Sequence, residues 1–192
     1  MKQNMAHPKF IVGVGASAGG LQAYMSFLDA LATNTGMAFV LLSHMYPSAQ
    51  SLLAEILSSH TKMPVKVASE AMPILANHVY VNPPNSDLRM ENYAFKVVSP
   101  RTQSNKQVDF FLISLAAAMG ERAIAIILSG FDGDGTEGCK HIKLNGGRTF
   151  AQDGTAKIDH MPRSAQVSGY VDFVLPPDKM ADELLKLASV SL

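Results

Sequence analysis

The chain has 192 residues, room for one domain and not for two sizeable ones. Sixteen Lys and Arg balance sixteen Asp and Glu, which excludes a nucleic-acid binder that works mainly by neutralising phosphates. Hydrophobic residues make up 47% and charged residues 17%, the opposite of a disordered composition, so the chain is expected to fold around a core.

Residues 10–16, FIVGVGA, are apolar and rich in β-branched side chains, then break into glycines: a buried strand and a tight turn. Leu21, Tyr24, Met25, Leu28 and Leu31 follow at helical spacing. Residues 37–42, MAFVLL, are a second buried strand, ended by Ser43, His44 and a turn at Pro47. Leu52, Leu53, Ile56 and Leu57 mark a helix after Ser48, and 64–68 a short strand. Residues 78–100 hold Pro83-Pro84 and alternating runs around Glu91-Asn92, a pattern of hairpin strands. After a polar loop at 101–107, Phe110, Phe111, Leu115 and Ala118 mark a helix. The most apolar strand, 122–129, enters the turn FDGDGTEG. Cys139, Ile142 and Leu144 belong to the next helix, where Cys139 reads as a buried small hydrophobe. This lone cysteine excludes an internal disulfide and a cysteine-rich zinc site. A strand at 148–152, a brief helix at 161–169, a strand at 172–175 and a helix from Pro176 to Ser189 complete the chain, the last with Met180, Leu184, Leu185 and Leu187 inward.

Apolar strands alternating with helices predict an α/β fold, a doubly wound, mostly parallel sheet with helices on both faces and an antiparallel hairpin addition. Residues 1–9 are an N-terminal extension and 10–192 the domain. No apolar run approaches the ~18 residues of a membrane span. The start, MKQNMAHPKF, lacks the apolar stretch of a secretory signal, so a cytoplasmic protein without membrane insertion is expected.

In such folds chemistry lies beyond the carboxyl ends of the strands. After the first strand, Gly13-x-Gly15-x-x-Ala18 fits a dinucleotide fingerprint, but strand 2 ends in Ser43-His44 and lacks the acidic residue that reading needs. Gly15-Ala16-Ser17-Ala18-Gly19 also fits a nucleophile elbow, whose small flanks let a sharp strand-to-helix turn project the serine hydroxyl. A plain turn with Ser17 capping the helix is the alternative. A hydroxyl nucleophile needs a base, and His44 ends the next strand. Asp132 and Asp134, among three glycines after the central strand, can orient a histidine or hold a hard cation, and a plain turn with Asp134 capping the following helix is the alternative. The chain order Ser, His, Asp differs from that of α/β-hydrolases.

The stretches IVGVGASAGG, SHMYP, VYVNPPN, VDFFLISLA, AIILSGFDGDGTEG, FAQDGTA, MPRSA and GYVDFVLPP resemble, in one order from residue 10 to about 187, the catalytic domain of chemotaxis protein-glutamate methylesterases of the CheB type. Some are similar to versions in methylesterase–methyltransferase fusion proteins. The resemblance implies Ser17 as nucleophile, His44 as base and Asp134 as acid. It implies hydrolysis of glutamyl γ-methyl esters on a chemoreceptor, deamidation of glutamine at the same site, and no cofactor or metal. The backbone N–H groups of Ala18 and Phe131 are the implied oxyanion donors. This chain departs from the family pattern at Asp132, where a glycine is usual, at Phe131, where Met or Thr is common, and at Asp87, where a histidine is common. The family enzyme usually carries a regulatory receiver domain; here the alternatives are another protein, a fused domain outside this sequence, or no such regulator. A serine esterase for small acyl esters and a non-catalytic scaffold of a sensory system are the competing readings.

Overall fold

A computed structural model describes residues 7–44 and 50–190. The strands, in chain order, are β1 (Ile11–Ala16), β2 (Ala38–Ser43), β3 (Val65–Val67), β4 (His78–Val81), β5 (Asp87–Glu91), β6 (Ala94–Val98), β7 (Ala123–Ile127), β8 (Arg148–Gln152) and β9 (Phe173–Leu175). The helices are α1 (Gly20–Ala30), α2 (Gln50–Ser58), α3 (Gln107–Met119), α4 (Thr136–Leu144), α5 (His160–Val167) and α6 (Pro177–Val190). Seven strands form one sheet in the order β3-β4-β2-β1-β7-β8-β9, and every pairing in it is parallel. β5 and β6 form a separate antiparallel pair.

Alternate residues of each strand point to opposite faces. Val12, Val14, Phe39 and Ile126 pack with Tyr24 and Phe27 of α1, Leu53 and Leu57 of α2, and Met180 and Leu184 of α6. Ile11, Val40, Ala125 and Ile127 pack with Phe111 and Leu112 of α3, Cys139 and Ile142 of α4, Met161 of α5, and Leu88 and Phe95 of the hairpin. The doubly wound architecture with a hairpin addition is therefore the one expected.

Three local expectations change. Residues 78–81 are not part of a hairpin: β4 pairs in parallel with β2 and β3, buried as a sheet interior requires, and the antiparallel pair is confined to 87–98. Leu21 is 37% exposed, because α1 begins at Gly20 and its first turn stands on the open rim; Phe27 takes the inward place. Leu185 is also 37% exposed, since the i, i+4 pair Met180 and Leu184 already defines the buried stripe of α6. The Pro47 turn and Ser48 lie outside the described residues. Cys139 is fully buried, which pushes its thiol pKa far up, away from reactivity.

Candidate active site

Register brings the candidate residues together. Ala16 of β1 lies opposite Ser43 of β2, so Ser17 and His44 leave adjacent strands at the same level. β7 flanks β1 on its other side, and the ladder continues past the strands: Leu128 N donates to Gly15 O at 2.8 Å and Ser17 N to Ser129 O at 2.9 Å. Ser17 therefore stands between the end of β2 and the turn after β7. The glycines of the dinucleotide-like pattern have a packing reason. A Cβ on Gly13 would meet Leu112 at 2.6 Å, and one on Gly15 would meet Val108 at 2.5 Å, so α3 crosses β1 at a distance only glycine allows. The N-cap of α1 is Gly19, with no side-chain cap, so Ser17 does not spend its hydroxyl capping that helix. Ser17 is half-buried, with exposed Ala18 beside it.

His44 is placed by its backbone neighbours. Asn82, just past β4, receives Ser43 N at 2.9 Å on its Oδ1 and donates its Nδ2 to Ser43 O at 3.2 Å. Beneath, the Tyr24 hydroxyl donates to Leu42 O at 2.7 Å; burial pushes this phenol's pKa far up, so it stays a donor. The imidazole is only 6% exposed, and its Nε2 lies 2.6 Å from Asp134 Oδ2.

Asp134 is buried and fully engaged. Its Oδ2 also accepts Val108 N at 3.0 Å, and its Oδ1 accepts Asp109 N at 2.8 Å, so it sits on the N-terminus of α3, where the helix dipole favours a negative charge. Asp109 returns the arrangement. Its Oδ1 accepts Gly135 N at 2.9 Å and Gly138 N at 2.8 Å at the N-terminus of α4, and its Oδ2 accepts Lys106 Nζ at 3.0 Å. The idea that Asp134 caps the following helix is thus corrected: Asp109 serves α4, and Asp134 serves α3. Burial holds the Asp109 carboxyl above the ordinary carboxylate range, with the Asp134 charge adding to it, while Gly138 N–H and Lys106 pull the other way.

With Nε2 given to Asp134, the other ring nitrogen is what remains for a substrate-side proton. His44 Nδ1 is buried without a hydrogen-bond partner among the described residues. Asp132 Oδ2 is 3.4 Å from it, close enough for a charge contact but not aligned as a hydrogen bond. Asp132 is held by its other oxygen, which accepts Asp134 N at 3.0 Å. No hydrogen bond joins the Ser17 hydroxyl to His44 among the described residues. Such contacts in unliganded sites commonly tighten only with substrate.

The turn after β7 is fastened to the segment before α5. Gly130 N donates to Ile158 O at 3.0 Å, and Met161 N to Gly130 O at 3.0 Å. A Cβ on Gly130 would fall 1.9 Å from Met161 Sδ and 3.1 Å from Ser17 Cβ, so this backbone lies directly against the serine. The Ser129 hydroxyl accepts Ile158 N at 3.0 Å and donates to Ala18 O at 2.9 Å, tying the two turns together. The N–H groups of Ala18 and Phe131 have no acceptor among the described residues. Phe131 is 65% exposed; its carbonyl accepts His160 Nδ1 at 3.1 Å and its ring lies 4.9 Å from the His160 ring.

Asp109, Asn82, Ser129 and Met161 were not among the sequence candidates, although each lies in or beside a stretch that carried the family resemblance. Asp87 is structural. It is buried and accepts Thr102 N at 2.7 Å, Thr102 Oγ1 at 2.6 Å and Gln107 Nε2 at 2.9 Å, fastening the start of β5 to the chain entering α3. Among the described residues no three histidine, cysteine or acidic side chains are arranged to hold a metal ion.

Comparison with known proteins follows the same geometry. The family model described as CheB methylesterase matches residues 12–184. A protein of Leptospira interrogans is 33% identical over 178 residues, 91% of this chain and 92% of its own length. The Thermotoga maritima protein named protein-glutamate methylesterase/protein-glutamine glutaminase is 32% identical over 184 residues, 92% of this chain and 54% of its own length. The crystal structure of the Thermotoga maritima CheB methylesterase catalytic domain superposes with a TM-score of 0.85 at 30% identity, covering 93% of this chain and 98% of that one.

Proposed function

The chain belongs to the CheB methylesterase family, and we propose that Ser17, His44 and Asp134 are the nucleophile, base and acid of its reaction. It is a protein-glutamate methylesterase, a hydrolase that releases methanol from glutamyl γ-methyl esters. The observation that carries the assignment of roles is the 2.6 Å contact between His44 Nε2 and buried Asp134, on strand ends that flank Ser17.

Ser17 Oγ attacks the ester carbonyl while His44 Nδ1 takes its proton. Asp134 holds the ring through Nε2–H and balances the charge the ring acquires. The carbonyl oxygen, now negative, meets the N–H groups of Ala18 and Phe131; a donor of this kind typically contributes about 3 kcal/mol to barrier lowering. Collapse expels methoxide, which takes the proton from Nδ1 and leaves as methanol. Water, activated by the same nitrogen, then cleaves the acyl-enzyme. A glutamine side chain enters the same tetrahedral route and its amide nitrogen leaves as ammonia, which fits the paired activity in the Thermotoga relative's name. The route uses no cofactor.

The substrate class is a methylated chemoreceptor or a similar sensory protein. The exposure of Ala18 and Phe131 on either side of half-buried Ser17 supports a substrate presented from a protein surface. Among the described residues no helix is long and apolar enough to cross a membrane, and the cytoplasm is the proposed compartment. Residues 10–192 act as one catalytic domain behind the extension 1–9, and a receiver domain outside this sequence is the proposed regulator. The test is methanol release from methylated receptor membranes, with p-nitrophenyl esters as a second substrate. Wild type releases methanol, and Ser17→Ala, folded by circular dichroism, releases none. Turnover of p-nitrophenyl esters without methanol release would move the assignment to a small-ester hydrolase.

A further inference from the structure

The structure gives the Asp132 carboxylate a defined place. Its Oδ1 is fixed by Asp134 N at 3.0 Å, and its Oδ2 stands 3.4 Å from His44 Nδ1. The imidazole is therefore bracketed, with Asp134 in line on Nε2 and Asp132 off line on Nδ1. We propose that Asp132 is a second positioning carboxylate, acting on the attack of Ser17 through the His44 ring. The proposal rests on the roles assigned above to Ser17 and His44.

The physical case follows the proton. As the Ser17 Oγ–carbon bond forms and the carbonyl electron pair moves to oxygen, the proton passes from Oγ to Nδ1, and the ring becomes a cation. An opposite charge within about 4–6 Å favours the charged form of an ionisable group. Asp132 supplies one at the nitrogen that receives the proton. Because it is off line, Nδ1–H stays free to return its proton to the departing methoxide. Its side chain is 28% exposed, so solvent screens part of the effect. Other charges near the ring, among the described residues, come from Asp134 on the same turn and from Lys106 and Asp109 at the start of α3. Lys106 is held in its ammonium form first by its bond to Asp109, and the charges of Asp134 and Asp132 add to this.

Asp132 therefore acts on the rate of attack and not on substrate binding. The experiment measures kcat and KM for methanol release and, on the same samples, the rate of Ser17 phosphonylation by a fluorophosphonate, which needs no receptor. Variants are Asp132→Asn, which keeps an oxygen for Asp134 N, and Asp132→Glu. In Asp132→Asn kcat and the phosphonylation rate fall about tenfold while KM stays within about twofold. Asp132→Glu recovers part of both rates. Unchanged rates, a loss that Asp132→Glu does not recover, or a change in KM alone overturns the proposal. If Asp132→Asn slows phosphonylation in this way but wild type releases no methanol, the assigned substrate falls while the role of Asp132 stands. If wild type releases methanol and Asp132→Asn matches it in both assays, the proposed function stands while the role of Asp132 falls.

Discussion

The two turns that meet at the site are built in opposite ways. The Ser17 turn is made of small residues held by backbone contacts, and it leaves the serine half-buried with an exposed neighbour. The turn after β7 buries Asp134 completely and binds both of its oxygens, while Asp109 repays the adjoining helix in kind. A nucleophile has to reach a bulky substrate, whereas an acid that orients a histidine has to keep still. The buried turn therefore carries most of the preorganisation, and damage to it is expected to show in rate before it shows in binding.

The largest effect that sharpens this contrast is Asp134→Asn. The amide can present its N–H to His44 and invert the tautomer, so kcat is expected to fall by roughly 10³–10⁴, as for the acid of other triads, with KM little changed. A loss of less than tenfold, or a larger loss in Asp132→Asn, would move the acid to Asp132. Next comes Gly130→Ala, which strikes the junction of the two turns. The added methyl would sit 1.9 Å from Met161 Sδ, so the backbone or Met161 must shift. Overpacking of this kind costs about 1–3 kcal/mol, and displacement of the adjacent Phe131 N–H is expected to lower kcat by roughly 10². Thermal unfolding and steady-state rates read both, and wild-type values in each would contradict the packing account.

The smallest effect concerns pH. Burial, with the Asp134 charge adding, holds the Asp109 carboxyl above the ordinary carboxylate range. The folded chain thus binds that proton more tightly than the unfolded one. Its contribution to stability is present below the unfolded value and is lost as pH rises through the raised folded value. Asp109→Asn removes this step and leaves an oxygen to accept Gly135 and Gly138 N–H. The melting temperature of the variant is expected to vary less with pH just above the ordinary carboxylate range. An unchanged slope would place the effect elsewhere.

Local pattern makes the proposed reacting groups legible in large part. Ser17 is announced by small flanks at a strand-to-helix turn, His44 by its place at the end of the next apolar strand, and an aspartate by a glycine-rich turn after the most apolar one, where the family resemblance selects Asp134 over Asp132. What escaped depends on contacts distant in sequence. Asp109 reads as an ordinary first-turn residue until α3 and α4 bring their N-termini together. Gly13 and Gly15 imitate a phosphate-binding fingerprint because the reason for them, α3 crossing β1, lies about 95 residues away, as Val108 against Gly15 and Leu112 against Gly13 show. The sequence reads 78–100 as hairpin strands because Pro83-Pro84 and the alternating runs around Glu91-Asn92 give a turn signal. Those prolines instead close a parallel strand, and Asn82 before them clamps the backbone entering His44.

The central claim, that Ser17 is a nucleophile activated by His44, is tested most directly by mass spectrometry of the fluorophosphonate-treated protein. The account predicts one adduct per chain, mapped to Ser17, absent in Ser17→Ala and formed far more slowly in His44→Ala. Labelling at another residue, or labelling of Ser17 at an unchanged rate without His44, would contradict it.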